Sequence, residues 1–282
     1  MKTFCIAGRY GDILIALPAF KYLSDRSGQK VRVITSSKFG DIFDGVSYVE
    51  PVVLPNELGE EDDVMKKFIR EGHPAKILRF WQAGDKPEED WKDLPAGNDS
   101  LCFRGKNWIL NFEKWPNYQT ALFSRTGVPI ELMKTLPLVF DRRDSARESE
   151  LVKTATKKNK KKLPLLLHNF SGHSSPFAPM PEVMNQLDKW RDKFFFIDLA
   201  NYRCERIYDL LGLMDAAKLL VTIDTSTLHL ASASSAVKQI CFLNQGWSSS
   251  VPRGNVLCTI RYKNAVKNLD KLNNFISSTL NT

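Results

Sequence analysis

Two short segments of the sequence place polar groups where a strand gives way to a helix. The first is Gly8–Asp12, which follows the apolar run Thr3–Ala7 and precedes apolar residues at helical spacing. Its glycines, Gly8 and Gly11, would permit a tight turn, and Asp12 would lie at the start of the helix. Asp is also a favoured helix cap, so spacing alone leaves open whether Asp12 is a cap or a catalytic carboxylate. The pattern GxxGD does not meet the GxGxxG fingerprint of dinucleotide sites.

The second segment is Asp224–His229, which follows the predicted strand Leu219–Ile223. Backbone N–H groups at a helix start, together with side-chain hydroxyls, favour the binding of a pyrophosphate group. The hydroxyls belong to Thr225, Ser226 and Thr227. Asp224 would hold a sugar hydroxyl or orient the loop. The alternative is an ordinary Ser/Thr helix cap, and on this apolar stretch His229 would then be a packed core residue.

Strands alternate with helices along the chain, and the alternation occurs twice with a charged break near residue 150. This pattern predicts an α/β fold with two parallel sheets that carry helices on both faces. The predicted domains are residues 1–150, residues 151–262 and a docking helix at 263–282. In such sheets, ligands bind at the carboxyl ends of the strands, where both polar segments fall.

Composition limits the class of protein. The chain has 282 residues, 43% of them hydrophobic and 26% charged, which is typical of a globular protein. Arg9 and Asp12 interrupt the apolar N-terminus, and no stretch reaches the ~20 apolar residues of a membrane span, so we expect a cytoplasmic protein. We also expect it to be a monomer. The five cysteines lack any ligand spacing, and the sequence therefore predicts neither a metal site nor a disulfide framework.

The positive charge is concentrated in the second half of the chain. Residues 1–140 hold 19 basic and 19 acidic side chains, whereas residues 141–282 hold 21 and 13 and so carry the whole excess of +8. Five of the basic residues fall within Lys157–Lys162. A lysine run before a strand is usually a solvated linker, but a basic half also suits a phosphate-bearing ligand.

Taken together, the segments GDILIALPAFKYL and DTSTLHLASA resemble the two signature segments of the ADP-heptose:lipopolysaccharide heptosyltransferases, the GT-B enzymes of glycosyltransferase family 9. The resemblance extends in order and spacing over most of the chain. It is sharp only at two sets of positions: Gly11, Asp12, Leu17, Pro18 and Ala19, and then Asp224, Thr225, His229, Leu230, Ala231 and Ala233. It implies a GT-B fold, in which two Rossmann-like domains face each other across a cleft.

The resemblance also implies roles for individual residues. Asp12 would be the general base that takes the proton of the acceptor hydroxyl, and Gly11 beside it would belong to the donor-binding residues. The segment Asp224–His229 would hold the donor, a nucleotide-diphosphate sugar of the ADP or UDP type. Such enzymes invert the anomeric centre in one displacement and use no metal. Trp247 lies in NQGWSSS, where the family places a loop that contacts the donor.

One departure from the family concerns the first loop of the second domain. The family carries a lysine there, in a segment like K-x-W-P, whereas this chain has NFSGHSSPFAPMPEV. The replacements in sight are His173 and nearby hydroxyls such as that of Ser171. Of the properties that the resemblance implies, the identity of the donor is therefore the one that it supports least.

Several functions stay open at this point. The acceptor would be a glycan, for example a lipid-linked saccharide at the inner membrane face, or a hydroxymethylated base of DNA, as in GT-B enzymes of viral origin that would act in the host cytoplasm. A nucleotide-sugar binding protein without catalysis is an alternative, because the family lysine is absent. A nucleic-acid-binding module is the third hypothesis, and its only support in the sequence is the lysine run.

Overall fold

The computed structural model describes residues 2–6, 9–54, 76–77, 117–172, 177, 179–202, 204–244 and 251–280. The chain divides into two compact units, Met1–Arg142 (unit 1) and Arg143–Thr282 (unit 2). The predicted helix at 60–70 and the predicted strand at 108–112 lie outside the described residues, as do His173 and Trp247. No helix in the described part of the chain is both long and apolar enough to cross a membrane.

Unit 1 contains a parallel sheet in the order β3-β2-β1-β4. Its strands are β1 (Thr3–Cys5), β2 (Val31–Ser36), β3 (Val49–Leu54) and β4 (Lys76–Ile77). The α-helices among its described residues are α1 (Tyr10–Ser27) and α2 (Tyr118–Arg125). The chain runs outward from β1 through β2 to β3 and then returns to the other side of β1. The order therefore reverses between β1 and β4, which is the switch point where Rossmann-like sheets bind ligands.

Helix α1 is buried along most of its first half. Every side chain from Ile13 to Phe20 is buried, and the Phe20 ring lies 5.2 Å from that of Phe4 on β1. In the sequence, Gly28 follows the apolar helical spacing and so predicts the end of this helix. The helix does end there, and the φ of 65° at Gly28 is a left-handed conformation that favours glycine. A helix so enclosed by core gives its first turn a fixed position relative to β1.

Unit 2 contains a five-stranded parallel sheet in the order β6-β5-β7-β8-β9. The strands are β5 (Leu165–Asn169), β6 (Phe195–Asp198), β7 (Ala217–Ile223), β8 (Lys238–Leu243) and β9 (Val256–Arg261). The helices are α3 (Ser145–Thr156), α4 (Met180–Asp188), α5 (Leu210–Ala216), α6 (Ser226–Leu230) and α7 (Leu269–Leu280). This order corresponds to 2-1-3-4-5, and its switch point lies between the first and third strands, β5 and β7.

Helix α3 is joined to the segment around α5 by a close crossing and by ion pairs. A Cβ at Gly212 would lie 2.7 Å from the Glu148 Cβ, so only glycine permits this approach. Arg143 donates to both carboxylate oxygens of the buried Glu148, at 2.8 and 2.6 Å, and also to Asp215 at 2.6 Å. The sequence of residues 141–162 predicts a helix that runs into a linker, and the structure confirms the helix as α3, which these contacts fix to unit 2.

Two expectations about the C-terminal segment differ from the structure. Helical spacing in the sequence predicts one apolar face formed by Val266, Leu269, Leu272, Ile276 and Leu280. In the structure Val266 and Leu280 are 51% and 38% exposed, whereas Leu272 and Ile276 are buried in the core of unit 2. Val266 lies in a 3-10 turn that precedes α7, so its side chain is out of phase with the helix face. Strand β9 alternates between buried and exposed residues at the edge of the sheet and was not predicted.

Candidate functional site

The candidate residues of unit 1 lie at the carboxyl end of β1, beside the switch point of the sheet. Helix α1 begins at Tyr10, so Gly11 and Asp12 belong to its first turn. The sequence pattern places Gly11 in a turn before the helix, but helix α1 already includes it. Gly11 instead adopts helical backbone at the second position of α1, where it places no side chain next to Asp12.

The carboxylate of Asp12 is oriented by the backbone of its own helix. Its Oδ2 accepts a hydrogen bond of 2.8 Å from the N–H of Arg9, the residue that precedes α1. This contact is the half of a capping box in which the third helical residue reaches back to the cap. Asp12 is half-buried. The N-cap residue is thus Arg9 and not Asp12, but the Asp12 carboxylate caps the helix start from the third helical position, and this contact orients the carboxylate.

A second loop of unit 1 is tied to this helix start. The phenol of Tyr10 donates to Oδ1 of Asp41 at 2.7 Å, and its ring lies edge-on to Phe39 with the centroids 5.0 Å apart. Phe39 and Asp41 follow β2, the strand next to β1. Tyr10 therefore joins the segments that follow two neighbouring strands. Nothing in the sequence pattern predicts this pair, since 31 residues separate its members.

In unit 2 the candidate residues follow β5 and β7, on either side of the switch point. Ser171 is exposed two residues after β5, and Asp224–Thr227 follow β7 directly. Residues Asn169 and Thr222 pair across the two strands, so both loops leave the sheet at the same height. Helix α6 has only five residues, so its dipole is small, and the hydroxyls and the loop N–H groups supply most of the polar character.

A buried network of side chains connects these two loops. The Thr227 hydroxyl lies 2.8 Å from that of Thr225, 3.0 Å from that of Thr222 and 3.2 Å from the Asn169 amide nitrogen, which donates to it. The Asn169 amide oxygen in turn accepts from the Ser171 N–H at 2.9 Å. Thr227 itself is 4% exposed. Its hydroxyl therefore fixes the geometry of the loop, while Thr225 and Ser226 are more open to solvent.

Asn169 is a functional candidate that the sequence reasoning missed. It contacts both loops through one amide group, as the network shows. The only signal in the sequence is a polar side chain at the end of the apolar run LLLHN, in which the strand leaves the core. Since its partner is 58 residues away, the periodicity of the chain does not indicate the contact.

His229 is buried in α6, and its imidazole is neutral at physiological pH. Burial, with a smaller contribution from the Arg253 guanidinium, lowers its pKa to about 3. Arg253 is itself buried, which lowers its pKa to about 10 and leaves it charged. His229 therefore presents a neutral hydrogen-bonding ring, and the positive charge in its surroundings comes from Arg253.

Asp224 directly follows the last residue of β7, and its negative charge affects the ionisation of a buried thiol in unit 2. Burial raises the pKa of the Cys241 thiol, and the Asp224 carboxylate raises it further. Cys241 pairs with Thr222 in the adjacent strand, which places Asp224 near the β7–β8 border. The described residues contain no group of three or more His, Cys, Asp or Glu side chains arranged to hold a metal ion.

The fold resembles those of solved bacterial transferases. ADP-heptose LPS heptosyltransferase II of E. coli matches with a TM-score of 0.55 and 14% identity, over 96% of this chain and 98% of the other. The E. coli heptosyltransferase WaaC, solved with ADP, matches with a TM-score of 0.55 and 14% identity over 100% and 98%. A glycosyl transferase family 9 protein of Veillonella parvula matches with a TM-score of 0.52 and 9% identity over 96% and 89%.

No family model and no curated protein matches the chain in sequence. At these identities the comparisons concern the fold alone. The chain has the GT-B type of fold, in which each of two units carries a Rossmann-like parallel sheet.

Proposed function

We propose that the protein is an inverting glycosyltransferase that moves a sugar from a nucleotide-diphosphate sugar to an acceptor hydroxyl. The observation that carries the proposal is the position of the two motifs. Each lies at the switch point of its own sheet, where a doubly wound sheet binds ligands, and the fold is that of heptosyltransferases. The proposal assigns the acceptor to unit 1 and the donor to unit 2.

The donor would bind at the loops that follow β5 and β7. Thr225 and Ser226 would donate hydroxyls to the diphosphate, with the exposed Ser171 at the neighbouring loop. Asp224 would accept hydrogen bonds from sugar or ribose hydroxyls. The network around Thr227 would hold these groups in place, since a donor site preorganised before binding loses less entropy. His173 and Trp247 are further donor contacts that the resemblance implies.

Asp12 would act as the general base. As the acceptor oxygen attacks the anomeric carbon, the Asp12 carboxylate takes its proton. The bond from that carbon to the diphosphate oxygen breaks, and its electron pair leaves with the nucleotide diphosphate. Attack from the opposite face inverts the configuration of the sugar. A positioned carboxylate contributes about 10²–10⁴-fold to such a step, and stabilisation of the leaving diphosphate contributes much of the rest.

The test measures binding and turnover separately. The melting midpoint is followed with nucleoside diphosphates and their sugars, for the wild type, Asp224→Ala and the control Asp270→Ala on α7. A ligand at 100 times its Kd adds about 2.7 kcal/mol, which raises the midpoint by several degrees. We expect one nucleotide to stabilise the wild type and the control but not Asp224→Ala. No stabilisation by any nucleotide would contradict the proposal.

Turnover then decides the alternative, a nucleotide-sugar binding protein without catalysis. Its support is the absence of a lysine from residues 169–181. With the stabilising nucleotide's sugars as donors, saccharide acceptors are tested first, because the similar structures include LPS heptosyltransferases. DNA with hydroxymethylated bases is tested next. Nucleotide release with an acceptor supports the transferase, and binding without release for every acceptor supports the alternative.

A further inference from the structure

The lysine run that the proposed function leaves unused forms an ordered surface turn. Residues Lys157–Lys162, called the lysine turn below, lie between α3 and β5. The Asn159 side chain closes the turn by donating to the Leu163 carbonyl at 2.8 Å and accepting from the Leu163 N–H at 3.0 Å. Lys162 has a left-handed φ of 52°, a conformation that side chains other than Gly and Asn rarely adopt. The run is therefore a built feature of unit 2 and not an extended linker.

The lysine turn concentrates positive charge without neutralising it. All five of its lysines are exposed, and none forms an ion pair within the described part of the chain. Six residues span at most about 20 Å even when extended, so the charges lie within two or three Debye lengths at physiological salt. A helix C-terminus favours cations, which accounts for Lys157 and Lys158 after α3. It does not account for the three lysines that follow.

Neighbouring elements extend this basic surface along the same edge of the sheet. The N–H of Phe195 donates to the Pro164 carbonyl at 2.9 Å, so the turn before β6 lies beside the lysine turn. Lys189 of that turn is exposed and donates to the Gln186 side chain at 2.7 Å, whereas Lys193 is paired with Asp192 at 3.1 Å. On the other side of β5, Lys218 is exposed at the bulge where β7 begins.

We propose that the lysine turn, with the lysines beside it, is a docking surface for a membrane that carries anionic lipid headgroups. Clusters of four to eight lysines attract anionic lipids through many weak contacts. The turn contains no arginine and no aromatic residue, the side chains that proteins use to contact and stack on nucleotide bases. Lysines are point charges without geometric demands, which suits a field of mobile headgroups better than a nucleic acid.

The position of the surface keeps it apart from the candidate donor site. The lysine turn precedes β5 and lies at the amino ends of the strands, whereas Asp224 and Thr225 follow β7 at the carboxyl ends. Because the sheet is parallel, these are opposite edges of unit 2. The inference does not rest on the proposed function, and bound lipid would leave the donor loops open.

The experiment measures sedimentation of the full chain with phosphatidylcholine vesicles, with and without 30 mol% phosphatidylserine, at low and high salt. A test variant replaces lysines of the turn with Gln, at Lys157, Lys158, Lys160 and Lys161. A control variant with the same net charge replaces exposed lysines elsewhere with Gln, at Lys30, Lys134, Lys263 and Lys267. Lys162 is kept because of its backbone conformation.

We expect the wild type and the control to bind anionic vesicles at low salt but not neutral ones. At about fivefold per lysine, the loss of four lysines should make the test variant bind about 600-fold more weakly. Equal binding by the two variants, or no binding of anionic vesicles by the wild type, would overturn the proposal. So would binding of a DNA duplex through the turn at a salt concentration where vesicles are released, which would assign the surface to nucleic acid.

Nucleotide stabilisation, measured on the same three proteins, keeps the two proposals distinguishable. It should be equal in the wild type and the test variant, because the lysines of the turn lie at the opposite edge of unit 2 from the donor loops. Equal melting midpoints without ligand show that each variant folds. If no nucleotide binds any of them, the transferase proposal fails while the vesicle result stands.

Discussion

The carboxyl ends of the two sheets hold their polar groups by different means. In unit 1 a single carboxylate, that of Asp12, is oriented by a backbone N–H three residues away within the helix start. In unit 2 the hydroxyls of Thr222, Thr225 and Thr227 and the amide of Asn169 form a buried network across two strands. The first arrangement is local, whereas the second exists only when the sheet has formed.

The difference corresponds to what each half would do. A general base needs one carboxylate oxygen held in a fixed orientation, and the first turn of a long buried helix can hold a side chain in this way. A diphosphate and a sugar need several groups at once, which a five-residue helix does not supply alone. Substitutions in unit 1 should therefore change turnover with little change in stability. Substitutions in unit 2 should change binding and stability together.

The largest expected effect is that of Asp12→Asn. Asn keeps an oxygen that can accept from the Arg9 N–H, so the helix start persists, but the amide does not take a proton. We expect kcat to fall about 10²–10⁴-fold while nucleotide stabilisation stays unchanged, as measured by steady-state transfer and by melting. Asp25→Asn, on the exposed part of the same helix, is the control and should retain activity. A kcat within threefold of the wild type would remove Asp12 from the chemistry.

The pH dependence of stability should come in part from unit 2. With a folded pKa of about 3 and an unfolded value near 6.5, His229 binds a proton only when the chain unfolds. Its contribution is fully present above pH 6.5 and is lost as pH falls from there toward 3, with a slope of up to about 1.4 kcal/mol per pH unit.

Urea denaturation between pH 7 and pH 5 measures this slope in the wild type, His229→Gln and His168→Gln. The slope should flatten in His229→Gln. His168→Gln is the comparison, because burial also lowers the pKa of His168, but the variant keeps the His229 contribution. An unchanged slope in His229→Gln would show that this imidazole is accessible to protons in the folded protein.

Local patterns predicted much of this architecture because they report on local structure. The apolar spacing in α1 and the glycine at its end predict a buried helix that ends at Gly28, and the structure confirms both. Cys5 and Cys241 also lie in apolar runs, a pattern that predicts small core residues, and both are buried. Where the phase of a helix changes, as before α7, the same reasoning placed Val266 on the wrong face.

Contacts between residues distant in sequence were beyond that reasoning. Asn169 joins loops that are more than 50 residues apart, and Tyr10 reaches Asp41 across two strands. Periodicity indicates which face of an element is buried, but it does not indicate which polar groups meet at a sheet edge. The motifs could thus be located from the sequence, while the side chains that position them could not.

The network in unit 2 can be broken at its centre by Thr227→Val. Valine has a similar shape but leaves the hydroxyls of Thr222 and Thr225 and the Asn169 amide without this partner. We expect a loss of about 1–3 kcal/mol in the free energy of unfolding and weaker nucleotide binding. Thr279→Val is the matched control, since its buried hydroxyl donates to the Ile276 carbonyl at 2.7 Å in α7.

The control should lose similar stability with nucleotide affinity unchanged, as measured by denaturation and by titration of the ligand. If both variants bind nucleotide as the wild type does, the network stabilises unit 2 without shaping a donor site. The two carboxyl ends would then differ in how they stabilise the fold but not in how they bind a ligand.

The smallest effect is expected from Tyr10→Phe. This substitution tests whether the orientation of Asp12 also depends on the loop that follows β2. The substitution removes the 2.7 Å hydrogen bond to Asp41 and keeps the ring against Phe39. A charge-assisted hydrogen bond that is half exposed contributes about 1 kcal/mol, so stability should fall by about that amount.

Tyr48→Phe is the control. The Tyr48 phenol donates to the Val139 carbonyl at 2.8 Å, and this hydrogen bond does not involve the segments around Asp12. If kcat falls severalfold in Tyr10→Phe but not in Tyr48→Phe, with equal nucleotide binding, the loop after β2 helps to position Asp12. If the two variants have the same kcat, the Tyr10–Asp41 hydrogen bond is not needed to position the carboxylate, which agrees with local orientation by the Arg9 N–H.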